Sequence, residues 1–316
     1  MQFVAKVPTE PAPQVFAAPW GARGWVTDFD GPVHWVEFGE RTDAAPIVFV
    51  HGLGGSHLNW SLVAPALSAD RWAIAPDLRG FGLTPGTRRT STVRANVDLL
   101  DRFLREIVGV PAVLVGNSMG GVVSILQAHH NRETVAGLAL LDPALPPVRV
   151  RPDPLVATQF ALYALPGIGE GYMHRLATKS TPEQLVRRVV NLCFADPSRA
   201  NAQMLESGAA VVRARATIHR KEETFMSAAR SLMRIVANRS RFRETMAGLD
   251  VPVLLINGEQ DRLVAIEAAR QAAALNPRWD TVFMPGVGHT PQLEVPDLTA
   301  AAVTAWLARN PALAAP

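Results

Sequence analysis

Short apolar runs recur along the chain, and each closes on a glycine or a polar turn. Ile47-Val48-Phe49-Val50, Trp72 to Ala75, Ala112-Val113-Leu114-Val115, Val135 to Leu141, Val251 to Asn257 and Thr281 to Met284 are such runs. Little polar alternation interrupts them, so they predict strands covered on both faces. Gly24 to Phe38 does alternate and turns at Asp30-Gly31, which predicts a two-stranded hairpin. Helical spacing falls between the runs, at Leu58 to Leu67, Thr92 to Val108, Ala265 to Leu275 and Leu298 to Leu307. In the second of these, Val97, Leu100, Phe103, Leu104 and Ile107 share one face. Strand and helix in alternation predict a mostly parallel sheet with helices on both faces. Ligands of such sheets bind beyond the carboxyl ends of the strands.

The alternation stops between Pro143 and Gly248. Helical patterns fill that interval at Pro154 to Leu165, Pro182 to Cys193, Arg199 to Ala216 and Glu222 to Asn238. The predicted organisation is therefore an arm, rich in Pro and Ala, over residues 1–22, a core over 23–142 and 249–316, and an inserted helical cap over 143–248. The cap holds 16 Lys/Arg against 8 Asp/Glu, a net +8, while the whole chain carries only +3. An excess of this kind favours anionic substrates or peripheral contact with an anionic lipid surface, although solvated helix faces explain it more plainly. Phe160, Leu162, Tyr163, Met173, Phe225, Met226 and Met233 supply the cap with apolar bulk, for its own core or for an acyl pocket.

The 316 residues suit one large domain with an insertion. Charged residues make up 19%, against about 25% on average. Cys193 stands alone, which rules out an internal disulfide and fits a reducing compartment or indifference to redox state. Met1 to Pro8 lacks the apolar stretch of a signal peptide, so a cytoplasmic location is expected. Ile107 to Gln127 is uncharged and long enough to span a bilayer. Pro111, Gly116, Asn117, Ser118, Gly120 and Gly121 interrupt it, so no transmembrane segment is expected. No basic patch interleaved with aromatics suggests nucleic acid.

Gly116-Asn117-Ser118-Met119-Gly120 lies between a predicted strand and a predicted helix. G-x-S-x-G in that setting is a nucleophile elbow, a turn tight enough to need Gly116 and Gly120 beside the serine. A serine hydroxyl needs an imidazole to take its proton and a carboxylate to orient that imidazole. Asp261 follows one later strand run and His289 follows the next. Glu259 and Asp142 are rival acids, the latter closing the strand run at Leu141. His129-His130 lacks acidic partners at ligand spacing and reads as a helix end rather than a metal site. The glycines of His51-Gly52-Leu53-Gly54-Gly55 let a backbone approach closely. The Leu53 and Met119 N–H groups are the expected oxyanion donors.

The order Ser118, Asp261, His289 resembles the α/β-hydrolase superfamily, in its lipase/esterase-like branch with a helical cap. The resemblance extends from about Trp25 to Leu307 and takes in Pro76-Asp77-Leu78-Arg79-Gly80-Phe81-Gly82, similar to the family's D-x-R-G-x-G loop. It implies a mostly parallel eight-stranded sheet with an inserted cap, and structural roles for Asp77 and Arg79. It also implies a serine hydrolase acting on small-molecule esters with an apolar acyl chain, without metal or organic cofactor. Carbon–carbon bond hydrolases of this fold often share the G-N-S-M-G-G sequence seen here, but usually carry a Trp after the catalytic His, where this chain has Thr290. A ligand-sensing protein with slow turnover is the alternative from another class.

Overall fold

A computed structural model describes residues 7–148 and 153–313. The start of the expected arm (residues 1–6), residues 149–152 of the expected cap and residues 314–316 lie outside the described residues. Strands β1 (Thr9–Pro11), β2 (Arg23–Asp28) and β3 (Pro32–Phe38) come first. The chain then runs through β4 (Ile47–Val50), α1 (Ala64–Leu67), β5 (Ala73–Pro76), α2 (Val93–Phe103), β6 (Ala112–Asn117), α3 (Met119–His130) and β7 (Val135–Leu141). Helices α4 (Pro154–Ala164), α5 (Ile168–Lys179), α6 (Pro182–Cys193), α7 (Ala202–Ala214), α8 (Lys221–Ala237) and α9 (Arg239–Ala247) follow without a strand between them. The chain closes with β8 (Val253–Gly258), α10 (Ile266–Leu275), β9 (Asp280–Met284), α11 (Pro291–Glu294) and α12 (Pro296–Arg309).

Among the described residues the strands form one nine-stranded sheet, ordered β1-β2-β3-β5-β4-β6-β7-β8-β9. From β5 through β9 every pairing is parallel, and β1 to β3 add an antiparallel edge. The ninth strand corrects the expected eight. It lies inside the predicted arm, where Thr9 faces Thr27 and Pro11 faces Trp25. Three residues with a proline carry no readable pattern. The open edge of β2 supplies the pairing, and an edge tolerates proline.

Side chains alternate between two cores. Val113 and Val115 join Ile47, Phe49, Leu254 and Ile256 on the face covered by α1 and α12. Leu114 joins Val48, Val50, Leu138 and Leu255 on the face covered by α2, α3 and α10. Fully burying each such side chain contributes roughly 1.5–3 kcal/mol, so the continuous apolar runs fix the sheet. With β4, β6, β8 and β9 parallel, their carboxyl ends fall along one edge. The loops carrying Leu53, Ser118, Asp261 and His289 emerge there.

Two predicted helices differ in form. The run from Leu58 splits into a 3-10 turn, His57–Trp60, and the short α1, where Pro65 occupies the first turn and lacks the N–H that a longer helix needs. The run from Thr92 widens after α2 into a π-turn, Leu104–Val108, that Gly109 ends at φ 78°. Among the described residues no helix is long and apolar enough to cross a membrane.

Candidate active site at the carboxyl edge of the sheet

Ser118 sits between β6 and α3 at φ 55°, ψ −118°, a backbone region that L-residues rarely enter. The turn is held from both sides. The Ser118 N–H donates to the Leu141 carbonyl at 3.1 Å, and its carbonyl accepts from Gly121 at 3.1 Å and Ala144 at 3.0 Å. A Cβ on Gly120 would lie 1.9 Å from the Val50 carbonyl oxygen, and one on Gly116 would lie 2.7 Å from the Gly120 oxygen. Both glycines are therefore required by packing, and the serine is presented at the N-terminus of a helix, where negative charge is favoured.

Asp261 and His289 meet in the loops after β8 and β9. The Asp261 carboxyl accepts the His289 Nδ1–H at 2.7 Å and the Leu263 and Val264 N–H groups at 2.7 and 3.1 Å. This leaves His289 Nε2 as the ring's basic nitrogen. The Asn117 amide, one residue before Ser118, donates to the carbonyls of His289 (3.0 Å) and Leu141 (2.9 Å), which ties the elbow to the histidine loop. Among the described residues the Ser118 hydroxyl makes no hydrogen bond to the ring; such contacts commonly tighten only when substrate is bound.

Asp142 lies beside this pair. It ends β7 at φ 42°, is fully buried, and accepts the Gly258 N–H at 2.8 Å. Donor atoms of Asp142, Asp261 and His289 all lie within 4.8 Å of one another. Burial, followed by the nearby Asp261 carboxylate, pushes the Asp142 carboxyl well above its ordinary range. Asp261 has three N–H donors and Asp142 has one. With a single N–H donor and full burial, Asp142 is the carboxyl of the two whose neutral form its surroundings favour. The histidine ring is bound to Asp261, not to Asp142. Glu259 points away, paired with Arg270 at 3.1 Å, and His130 accepts from Arg94 at the end of α3.

The turn after β4 packs on the elbow, since a Cβ on Gly52 would meet the Ser118 Cβ at 3.0 Å. Leu53 follows directly, and Met119 is the first residue of α3, where helical N–H groups lack intrahelical partners. His51 braces this turn. Its Nδ1–H donates to the Gly52 carbonyl at 2.8 Å, and its Nε2 accepts from Leu78 at 3.0 Å. Burial lowers its pKa to about 4, so it stays neutral. Asp77 is a buried anchor for the same region. It accepts from His34 and His57 Nδ1 at 2.8 and 3.0 Å, and from the Leu83 N–H at 2.8 Å. Burial alone would raise its pKa, but the two histidines hold it well below the usual carboxylate range. Arg79 donates to the Phe29 carbonyl. His34, His57 and Asp77 stand close enough to hold an ion, but both oxygens of Asp77 already accept N–H donors.

Helices α4 to α9 dock on this edge at points the sequence pattern gave no sign of. The Cys193 carbonyl, at the end of α6, accepts the His289 N–H at 2.6 Å. Glu294 is buried and accepts from Gly288 (2.8 Å), Ala195 (3.1 Å), Asp196 (2.9 Å) and Arg199 (3.2 Å), joining the histidine loop to the segment after α6. Arg215 reaches across to the carbonyls of Gly80 and Gly82. Phe225 of α8 stands over Gly54, in the turn that packs on the elbow through Gly52, and lies edge-on to Tyr163 of α4, within a cluster that includes Phe160, Met226 and Leu53. A separate cavity of about 180 Å³, lined by Glu183, Val186, Leu205 and Arg213 among others, lies between α6 and α7 and does not touch the three residues.

Residues 47–302 match the family model described as the alpha/beta hydrolase family. The chain is 28% identical, over 94% of its length and 75% of the relative's, to the dihydrolipoyllysine-residue acetyltransferase component of an acetoin cleaving system from Pseudomonas putida. It is 26% identical, over 86% of its length and 87% of the relative's, to the 2-hydroxy-6-oxo-6-(2'-aminophenyl)hexa-2,4-dienoic acid hydrolase of Metapseudomonas resinovorans. A thermophilic esterase from Thermogutta terrifontis superposes with a TM-score of 0.66 at 24% identity, over 90% of this chain and 96% of the esterase.

Proposed function

The chain belongs to the alpha/beta hydrolase family, and on that premise we propose that it is a serine hydrolase, esterase- or lipase-like, cleaving carboxylic esters through an acyl-enzyme. In this reading His289 Nε2 takes the Ser118 proton as the hydroxyl oxygen attacks the ester carbonyl. Asp261 stabilises the imidazolium, and the Leu53 and Met119 N–H groups hold the oxyanion. The tetrahedral species collapses, and the alcohol leaves with the proton from His289. Water, activated by the same ring, then releases the acid. The observation that carries the reading is the 2.7 Å bond from His289 to Asp261, tied through Asn117 to a serine on a strained elbow. The apolar cluster of Leu53, Phe160, Tyr163 and Phe225 supports an apolar acyl chain held between the 143–248 segment and the sheet. Ser118→Ala should keep the fold and lose roughly 10³-fold or more in kcat/KM on nitrophenyl esters. A variant with undiminished turnover would refute the reading.

A second reading is a carbon–carbon bond hydrolase, favoured by the dienoic acid hydrolase relative. Here Thr290 stands where such enzymes usually have Trp, which favours the ester reading. Parallel assays on a nitrophenyl ester and on a dienoate ring-cleavage product separate the two.

A further inference from the structure

Helix α4 has an unusual surface. Residues 154–169, covering α4 and the turn into α5, contain no charged side chain. The inner side of α4 packs on its neighbours through Val156, Phe160 and Tyr163. The outer side presents Leu155, Leu165 and Ile168, which are 60%, 48% and 54% exposed. A helix that is apolar all round is normally buried, and one that stays exposed marks an interaction site. The flanking charges have a consistent sign. The two acids that bound the stretch are neutralised, Asp153 by Arg262 at 2.8 Å and Glu170 by Arg230 at 2.6 Å. Arg175 and Lys179 are exposed on α5, which packs on α4, and among the described residues neither makes a salt bridge.

We propose that α4 and the Leu165–Ile168 turn seat this protein on an anionic lipid bilayer. Leu155, Leu165 and Ile168 enter the boundary between headgroups and acyl chains, while Arg175 and Lys179 meet lipid phosphates. An apolar helix face flanked by cations is the arrangement that binds in the interfacial plane. A second copy of the chain fits this face poorly, because it would bring two segments of net charge +8 together. The inner side of the same helix contributes Phe160 and Tyr163 to the cluster that includes Leu53, in the turn beside the elbow, so an acyl chain leaving the bilayer has an apolar path toward that turn. The proposal is scored by binding, not turnover, and stands or falls apart from the hydrolase reading.

The test is co-sedimentation of the full chain with vesicles of phosphatidylcholine alone and of phosphatidylcholine mixed with phosphatidylglycerol. Wild type should pellet with the mixed vesicles, release as salt is raised, and bind the neutral ones at least tenfold more weakly. Leu155→Asp with Ile168→Asp should lose tenfold or more in binding to the mixed vesicles, and Arg175→Glu with Lys179→Glu a similar amount. All of these positions are exposed, and an unchanged circular dichroism melt would show that the fold is kept. Absence of wild-type binding to the mixed vesicles would overturn the proposal. So would binding that both double variants retain, or a dimer in sedimentation velocity that the Asp pair abolishes.

Discussion

Replacing Glu294 by Ala tests whether a buried carboxylate outside the three central residues sets the geometry of the site. The substitution removes the acceptor for the Gly288, Ala195 and Asp196 N–H groups and for the Arg199 guanidinium. Each orphaned buried N–H costs about 1–3 kcal/mol. Water entering the vacated space recovers part of that sum. Breaking a buried charged network from one side costs about 3–5 kcal/mol in comparable cases, and the same loss is expected here. Gly288 precedes His289, so the ring should also shift, and a misplacement of about 1 Å lowers kcat on the order of 10²-fold. Glu294→Gln keeps one acceptor oxygen and should fall between wild type and Ala in both respects. Urea unfolding gives the stability, and kcat and KM on one nitrophenyl ester separate positioning from binding. If Glu294→Ala stays within about 0.5 kcal/mol of wild type, as an inert surface change does, with kcat unchanged, the carboxylate has no positioning role.

Asp261→Asn should cost about 10⁴-fold in kcat, because the amide favours the wrong ring tautomer, whereas Asp142→Asn should stay within tenfold; the reverse order would move the acid to β7. The Asp142 carboxyl is raised in the folded state, so its contribution to stability is full below pH 3.8 and falls as pH rises toward the folded value. Asp142→Asn should flatten the stability curve above that pH in urea titrations, and a steeper curve would contradict the assignment of the proton. A Cβ at Gly120 meets the Val50 carbonyl at 1.9 Å, so Gly120→Ala should destabilise by about 3 kcal/mol or more on thermal unfolding. Across acetyl to palmitoyl esters, kcat/KM should rise by at most about 0.8 kcal/mol per methylene and then fall once the pocket is full; a flat profile would mean that α4 and α8 do not grip the chain.

The core strands were legible because burial on both faces leaves uninterrupted apolar runs, as at Val135–Leu141, where prediction and structure coincide. Leu53, Ser118, Asp261 and His289 were legible as positions because each follows such a run. The remainder depends on contacts distant in sequence. β1 exists through the edge of β2, and nothing in Thr9–Pro11 announces it. α5 opens at Gly167, a residue that reads as a break; here φ 80° and a cap from the Glu170 carboxylate start the helix instead. α9 is too polar for its periodicity to stand out. Glu294, four residues past Thr290, resembles any acidic residue in the first turn of a helix until Gly288, Ala195 and Asp196 are seen around it. Asp142 was weighed as a rival acid, but its part as a neutral neighbour of Asp261 needed both carboxyls in one buried space.

The claim that Ser118 is the nucleophile is tested most directly by labelling the folded protein with a fluorophosphonate and mapping the adduct by peptide mass spectrometry. The account predicts one adduct, on the peptide containing Ser118, that disappears in Ser118→Ala. An adduct on another residue, or labelling of Ser118→Ala at the wild-type rate, would contradict it.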